Sequence, residues 1–434
     1  MMETRTEAVS PIVVPQFGGS MEDYGFSPCE GGVCAAAGIK AAGVHAGFRK
    51  DPNRLDLALV AADEPCVCAA TFTTNRFCAA PVQVSRPRAA KGRAKAVILN
   101  SGNANAATGD AGIEVALASS KIVAEALDCS DDEILVASTG VIGVQLPLAP
   151  YTEGVPMAVS KLAGTAEAAH DAACAVMTTD THSKEVSVAG ELPIGEDGAA
   201  VTVHVGGFVK GSGMIQPNMA TMLCVLSTDA PLDAEAAHAA LLAAVKTTFN
   251  HVTVDSDTST NDSAFLLATG AAGGETITCD SAAYAAIAAA IHGVCESLAR
   301  MIAADGEGAT KLVTVDVVNA ASQEDADTAA FAIANSPLVK CAIFGHDANW
   351  GRIAAAAGKC GVQFDQYACD IDLMGVPVLR SGLPLPMDED EMLRRFEEPA
   401  IDIVMSLGAG SFCSRVWTCD LTHEYVTING DYRT

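Results

Sequence analysis

Lys210-Gly211-Ser212-Gly213-Met214-Ile215-Gln216-Pro217-Asn218-Met219-Ala220-Thr221-Met222-Leu223 lies almost at the midpoint of the chain, with 220 residues before Thr221 and 434 − 220 = 214 from it onward. Its lysine precedes the glycine, whereas a phosphate-binding Walker loop needs Gly-Lys-Ser/Thr in that order. A threonine hydroxyl in mid-chain is a poor nucleophile because it has no built-in base. Scission of the Ala220–Thr221 bond would change that. The freed α-amine, with a pKa of about 7.7 to 8 in short peptides, can act as general base for the hydroxyl of the same residue. On the residues alone, however, an ordinary mid-chain Ala-Thr pair stays the readier reading, because such pairs are common.

Outward from this stretch, short β-patterned runs alternate with long alanine-rich helical segments, an α/β rhythm. Ala96 to Leu99 and Ile134 to Ala137 read as buried strands, and Asp110 to Leu127 and Thr165 to Met177 as helices. Val201, Val203 and Val205 alternate with Thr202 and His204, which predicts a strand with one apolar face. Asp233 is a natural N-cap for a helix reaching about Phe249, and further strands are expected at Leu312 to Val318 and Leu338 to Phe344. The run from Pro384 to Glu398 reads as a turn and an acidic helix start at the periphery. No fixed-period repeat is present, which disfavours a solenoid.

The chain carries 26 Lys+Arg against 53 Asp+Glu, a net charge of −27, which argues against a polyanion partner such as nucleic acid. Half of the residues are hydrophobic and 18% are charged, so there is ample material for large cores. Uninterrupted apolar stretches such as Ala282 to Ile291 stop short of the roughly 20 residues that span a bilayer, and membrane insertion is not expected. Met1 to Gly25 contains Glu3, Glu7, Glu22 and Asp23, unlike a secretory signal or transit peptide, which predicts a cytoplasmic location. The 15 cysteines are scattered and never form a C-x-x-C pair, which fits free thiols; Cys66 and Cys68 fall on one face of a strand as core filler.

Generic motifs fail on inspection. Asp255 to Ser263 begins like a calcium loop but has Thr260 where the glycine must turn and Leu266 where the closing glutamate should sit. A G-x-S-x-G nucleophile elbow is absent, as are two-carboxylate, zincin and dinucleotide-binding patterns. What remains is a pair of amide-rich loops after predicted strands, Asn100 to Ala106 and Ser138 to Gly143, whose glycines let backbone N–H groups approach a developing oxyanion or simply make a tight turn. Asp257 and Asp262 read as partners for loop backbone N–H groups, and His182, His204 and His251 as local structure.

The stretch around Thr221 resembles the self-processing segment of the ArgJ-type ornithine acetyltransferases, also called glutamate N-acetyltransferases. The resemblance extends from about Gly31 through Phe72 to Arg76, Ala79 to Val82, Met177 to Thr181, Asp257 to Asp262, Asp305 to Lys311, Asn349 to Ile353 and the terminal Ile428 to Thr434. Gln216 and Ala348 depart from the residues common in that family.

That resemblance implies a layered α/β sandwich of the self-cleaving kind with a second, smaller α/β domain. It implies an extension (1–30), an α chain (31–220) and a β chain (221–434) produced by cleavage between Ala220 and Thr221, assembled two of each. It implies ping-pong transfer of acetyl from N2-acetylornithine to glutamate on Thr221, with acetyl-CoA as a further donor left open. Thr139 and Gly140 match the oxyanion-hole pair, and Thr178, Lys210, Thr221, Glu307, Asn429 and Thr434 match substrate-binding positions. Lys210 suits a carboxylate, and Glu307 the side-chain amine of ornithine. Thr178 and Thr179 are not separable by residue type, and Trp350 and Arg352 are expected to anchor a strand-to-helix loop. A self-cleaving aminopeptidase with the same nucleophile is the rival enzyme, and a non-catalytic scaffold the rival of another class.

Overall fold

The structure, a computed structural model, describes residues 9–15, 20–216 and 222–431. The cleavage pair Ala220 and Thr221, and the terminal Thr434, lie outside the described residues. The strands are β1 (Ser27–Pro28), β2 (Ile39–Val44), β3 (Leu57–Phe72), β4 (Arg93–Asn103), β5 (Ile134–Val141), β6 (Lys184–Pro193), β7 (Ala200–Lys210), β8 (Leu223–Thr228), β9 (Ser263–Ala268), β10 (Leu312–Ala320), β11 (Asp370–Leu373), β12 (Val376–Arg380), β13 (Leu383–Pro384), β14 (Ala400–Ser406) and β15 (Phe412–Cys419). The α-helices are α1 (Ala80–Ala89), α2 (Gly109–Leu127), α3 (Ala149–Lys161), α4 (Ala166–Val176), α5 (Ala234–Thr247), α6 (Tyr284–Ala304), α7 (Gln323–Ala334), α8 (Pro337–Phe344), α9 (Trp350–Gly358), α10 (Glu389–Arg395) and α11 (His423–Asp431). They fall into a larger unit, residues 18–307 with 431–434, and a smaller one, 1–17 with 308–430.

In the larger unit the strands run β1-β6-β7-β8-β9-β3-β4-β5, with β2 also paired to β3. Side chains alternate between the two faces of a strand, and here both faces are covered. Leu57, Leu59 and Ala61 of β3 enter a core with Val84, Ile98, Val123, Ile134, Tyr151 and Val155. Ala58, Val60 and Ala62 enter the opposite core with Ala169, Ala172, Val176, Phe208, Val225, Phe265 and Leu267. A sheet buried on both faces needs continuous apolar runs, which is why these strands do not show polar alternation. Cys66 and Cys68 are buried in the second of these cores. Small residues set the spacing: a Cβ on Gly43 of β2 would come within 2.0 Å of the Asp171 carbonyl oxygen of α4.

The helix starts follow ordinary capping. Thr165 accepts from the Ala168 N–H at the start of α4 (3.2 Å), and Asp233 from the Ala236 N–H at the start of α5 (2.7 Å). β7 buries Val203 and Val205 as the alternation requires. α6 corrects the reading of its apolar run. It is 21 residues long and apolar enough to cross a membrane by length and composition, which the shorter uninterrupted stretch did not reveal. In the larger unit Ile287, Ile291, Val294, Leu298 and Ile302 of α6 are buried, and the helix packs on α5, β6 and β7.

The smaller unit holds the sheet β13-β12-β11-β14-β10-β15, with β10 and β14 parallel and in register from Leu312 with Ala400. Leu338 to Phe344, expected as a strand, is the helix α8. A short apolar run does not distinguish the two states by periodicity; the decision comes from Ser336, whose hydroxyl caps Val339, and from Pro337 in the first turn, positions that start a helix. Consequently Trp350 opens α9 after another helix rather than after a strand, with Asn349 as its N-cap. The acidic helix start near Pro384 to Glu398 is α10, capped by Asp388.

Candidate active site

Two parallel neighbours, β4 and β5, end together. Their register runs Asn100 to Ser138, Ser101 to Thr139 and Gly102 to Gly140, so the first residues of both amide-rich segments, expected as loops, continue the ladder as strand ends. Gly140 has φ +130°, and a Cβ there would lie 2.4 Å from the Gly102 carbonyl carbon. Only glycine fits that conformation and that contact. Asn261 locks the segment from the other side, its Nδ2 donating to the carbonyls of Ala104 (2.6 Å) and Ser138 (2.9 Å).

β7 delivers Lys210 to the same place. Its side chain is buried, and Nζ lies 3.5 Å from Thr139 Oγ1. Burial pushes the ammonium below its usual pKa, while Asp180, Asp262 and Glu307 pull it back up. The residues after Lys210 are held by acids from three other segments. Asp180 Oδ1 accepts from the Gly211 N–H (2.8 Å), the Ser212 hydroxyl donates to the Asp305 carbonyl (2.6 Å), and the Asp255 carboxylate accepts from the N–H groups of Met214 (2.7 Å) and Ile215 (2.8 Å). The Glu307 N–H donates to the Ser212 carbonyl (3.0 Å), and the Glu307 carboxylate sits where a side chain on Gly213 would be, 2.3 Å from an added Cβ.

Asp180 is the hub of this arrangement. Beyond Gly211 it accepts from the Thr178 N–H (2.8 Å) and from Lys184 Nζ (2.7 Å), and Lys184 continues to Asp305 Oδ2 (2.5 Å). Burial alone would raise the Asp180 carboxyl, but Lys210, Lys184 and the hydrogen bonds outweigh it and hold it well below the usual range. Thr178 places both its N–H and its hydroxyl (3.4 Å) on Asp180 Oδ2. Asp180, Lys184, Asp255 and Asp305 were assigned no role by sequence reasoning. The signal available was their charge in an otherwise apolar chain, which says nothing about which distant segment each one meets.

Of Asp257 and Asp262, the second takes the role expected of it, its carboxyl accepting backbone hydrogen bonds at Met222 and within its own residue. The Asp257 carbonyl accepts the Gln216 N–H (2.8 Å), while the side chain anchoring the loop backbone is that of Asp255. Asp262 is buried immediately before β9, and among the described residues its Oδ2 has no hydrogen-bond partner. Burial pushes its carboxyl well above the usual range, against the opposing pull of the Met222 backbone and Lys210. A carboxyl raised in the folded state contributes stability that is full below the unfolded pKa of about 4 and is lost as pH rises toward the folded value. The melting temperature of Asp262→Asn relative to the unsubstituted protein is therefore expected to rise as pH increases above the unfolded carboxyl value of about 4. A constant or falling difference would remove this account.

His204 pairs with Asp229 (2.8 Å), a local structural contact as expected. Asn429 belongs to α11 of the smaller unit, where its Nδ2 donates to the Tyr425 carbonyl (3.1 Å). The larger unit thus brings together Thr139, Gly140, Thr178, Lys210 and Glu307.

A family model described as the ArgJ family matches residues 40–434. The chain belongs to the ArgJ family. It is 47% identical over 405 residues to the arginine biosynthesis bifunctional protein ArgJ of Symbiobacterium thermophilum, covering 93% of this chain and 99% of that protein. It is 41% identical over 434 residues to the chloroplastic bifunctional ArgJ of Oryza sativa subsp. japonica, covering 98% of this chain and 91% of that one. Among solved structures, the ornithine acetyltransferase of Mycobacterium tuberculosis complexed with ornithine is 39% identical, covering 44% of this chain and 97% of that chain, with a TM-score of 0.39.

Proposed function

We propose that this ArgJ-family chain moves the acetyl group of N2-acetyl-L-ornithine to L-glutamate, giving L-ornithine and N-acetyl-L-glutamate, through an acetyl ester on Thr221. The observation that carries the reading is the meeting of Lys210 at the end of β7 with Thr139 and the close Gly102–Gly140 contact at the paired ends of β4 and β5. After cleavage of the Ala220–Thr221 bond, the Thr221 amine takes the hydroxyl proton as the oxygen attacks the acetyl carbonyl. Thr139 and Gly140 stabilise the tetrahedral oxyanion. The amide C–N bond then breaks, the proton passes to the departing ornithine amine, and the acetyl ester remains. The glutamate amine attacks that ester, its proton returns by way of the Thr221 amine, and the threonine hydroxyl is restored.

Within this scheme Lys210 binds the amino-acid carboxylate, Thr178, Asn429 and Thr434 complete the substrate contacts, and Glu307 faces the ornithine side-chain amine. Glu307→Gln is expected to raise KM for N-acetylornithine about tenfold with little change in kcat, the size of one charge-assisted hydrogen bond. An unchanged KM would remove that role.

The bifunctional names of the relatives support acetyl-CoA as a second donor to glutamate. No metal or organic cofactor enters the scheme. The active form we propose is an assembly of two α and two β chains in the cytoplasm. Incubation with N-acetylornithine and isotopically labelled glutamate tests the reading: labelled N-acetylglutamate is expected, whereas free acetate without it would indicate a hydrolase.

A further inference from the structure

A second constellation lies on the larger unit, in residues that the acetyl-transfer scheme does not use. Cys174 and His170 stand one turn apart on α4, with Sγ 3.5 Å from Nε2. The other ring nitrogen, Nδ1, is 2.8 Å from Glu185 Oε1 on β6, and Ser183 Oγ lies 3.4 Å from the same nitrogen. Glu185 is itself held in place, four-fifths buried at the side chain and packed over Gly32, where an added Cβ would lie 3.2 Å from Oε2. Thiol, imidazole and carboxylate are in line, the order of a nucleophile, a base and the group that orients the base. The His170 side chain is 59% exposed and Cys174 is partly exposed, so a small reagent can approach.

We propose that Cys174 is a thiol modification site, activated by His170 and Glu185 and selective for neutral or cationic small disulfides. With Nδ1–H donating to Glu185, Nε2 is left as the acceptor for the Cys174 S–H. Burial, followed by the charges of Glu185 and Asp171, pushes the thiol above its usual pKa, so the resting form is the thiol and activation comes during the reaction. As Cys174 Sγ forms a bond to one sulfur of the disulfide, the S–S bond breaks, the thiol proton passes to His170 Nε2, and the departing thiolate then takes that proton. One disulfide and one thiol give one mixed disulfide and one thiol. The acidic surroundings of Glu185 and Asp171 disfavour an anionic reagent and favour a cationic one.

The site also has a structural position of consequence. α4 ends at Val176 and β6 begins at Lys184, so His170 and Glu185 brace the two ends of the segment that carries Thr178 and Asp180. The measurement is the rate of mixed-disulfide formation at each cysteine with cystamine and, separately, with dithiodiglycolate, followed by peptide mass mapping of the full chain. Cys174 is expected to react faster with cystamine than the exposed thiols Cys279 and Cys341, and more slowly with dithiodiglycolate than with cystamine. His170→Gln is expected to slow Cys174 about a hundredfold, the lower end of general-base assistance, without changing Cys279. Buried Cys224 reports unfolding and should stay unreacted in both proteins. A Cys174 slower than both exposed thiols, or an unchanged rate in His170→Gln with Cys224 still protected, would overturn the proposal.

Discussion

Thr221→Ala is expected to leave a single 44.3 kDa band on denaturing electrophoresis, in place of two bands near half that mass, and to abolish acetyl transfer. The variant has neither the hydroxyl that would hold the acetyl ester nor the attacking oxygen for backbone scission. Loss of a catalytic nucleophile costs on the order of 10⁴- to 10⁶-fold in turnover. Thr221→Ser keeps a hydroxyl and, after scission, an α-amine on the same residue, so it should still cleave and retain measurable transfer. A cleaved Thr221→Ala protein, or an uncleaved unsubstituted protein with full activity, would sink the N-terminal-threonine mechanism. A single band together with no activity in the unsubstituted protein would instead favour the scaffold reading.

Asp180→Ala should have the largest effect on stability. The carboxylate is fully buried between Lys184 and the turn at Gly211, and Lys210 acts on it through charge. Its removal leaves Lys184 with Asp305 alone and takes the acceptor from two backbone N–H groups. Breaking a buried ion pair from one side costs about 3 to 5 kcal/mol, to be read from the urea midpoint. Asp180→Asn preserves an acceptor oxygen while removing the charge, and should fall between the unsubstituted protein and Asp180→Ala. A shift below about 1 kcal/mol for Asp180→Ala, the range of a surface ion pair, would show that the pair does not hold the segment. The sign with pH is opposite to that of Asp262. A depressed carboxyl contributes stability present above about pH 4 and lost as pH falls through its folded pKa.

The two carboxylates illustrate why part of the site could not be read in advance. Asp180 and Asp262 are the same residue type, each in a polar segment beside an apolar one. One is ringed by donors and cations and stays charged far into acid; the other is buried with a carboxyl oxygen that has no partner among the described residues. Near neighbours contribute, Thr178 and Lys184 for Asp180, but Lys210 and Gly211 come from a distant strand end and Asp305 from farther still. No local pattern carries that information. The same holds for Asp255, whose two hydrogen bonds to the Met214 and Ile215 N–H groups span about forty residues.

Local patterns did carry much of the secondary structure. Alternation in Val201 to Val205, the Asp233 cap and the apolar run at Ile134 each describe an element by its own residues, because capping and side-chain periodicity act over a few positions. They failed at Leu338 to Phe344, where seven mostly apolar residues fit either state and the helix start just before them decides the matter. They also stopped the strands at Leu99 and Ala137, since the polar residues beyond looked like loops. The ladder continues because β4 and β5 pair with each other, a condition set by the neighbour and not by either segment.

The amino-acid sequence by itself determined the α/β class, the family, and a mid-chain Ala220–Thr221 pair whose scission would create a nucleophile with its own base. These follow from residue order, which is all that capping, periodicity and peptide chemistry require. The tertiary structure decided which distant residues meet: Lys210 with Thr139, Asp180 with Gly211 and Lys184, Glu307 with Gly213. Charge states followed from those meetings, because the pKa of a buried group depends on desolvation and on neighbours that the fold brings within a few ångströms.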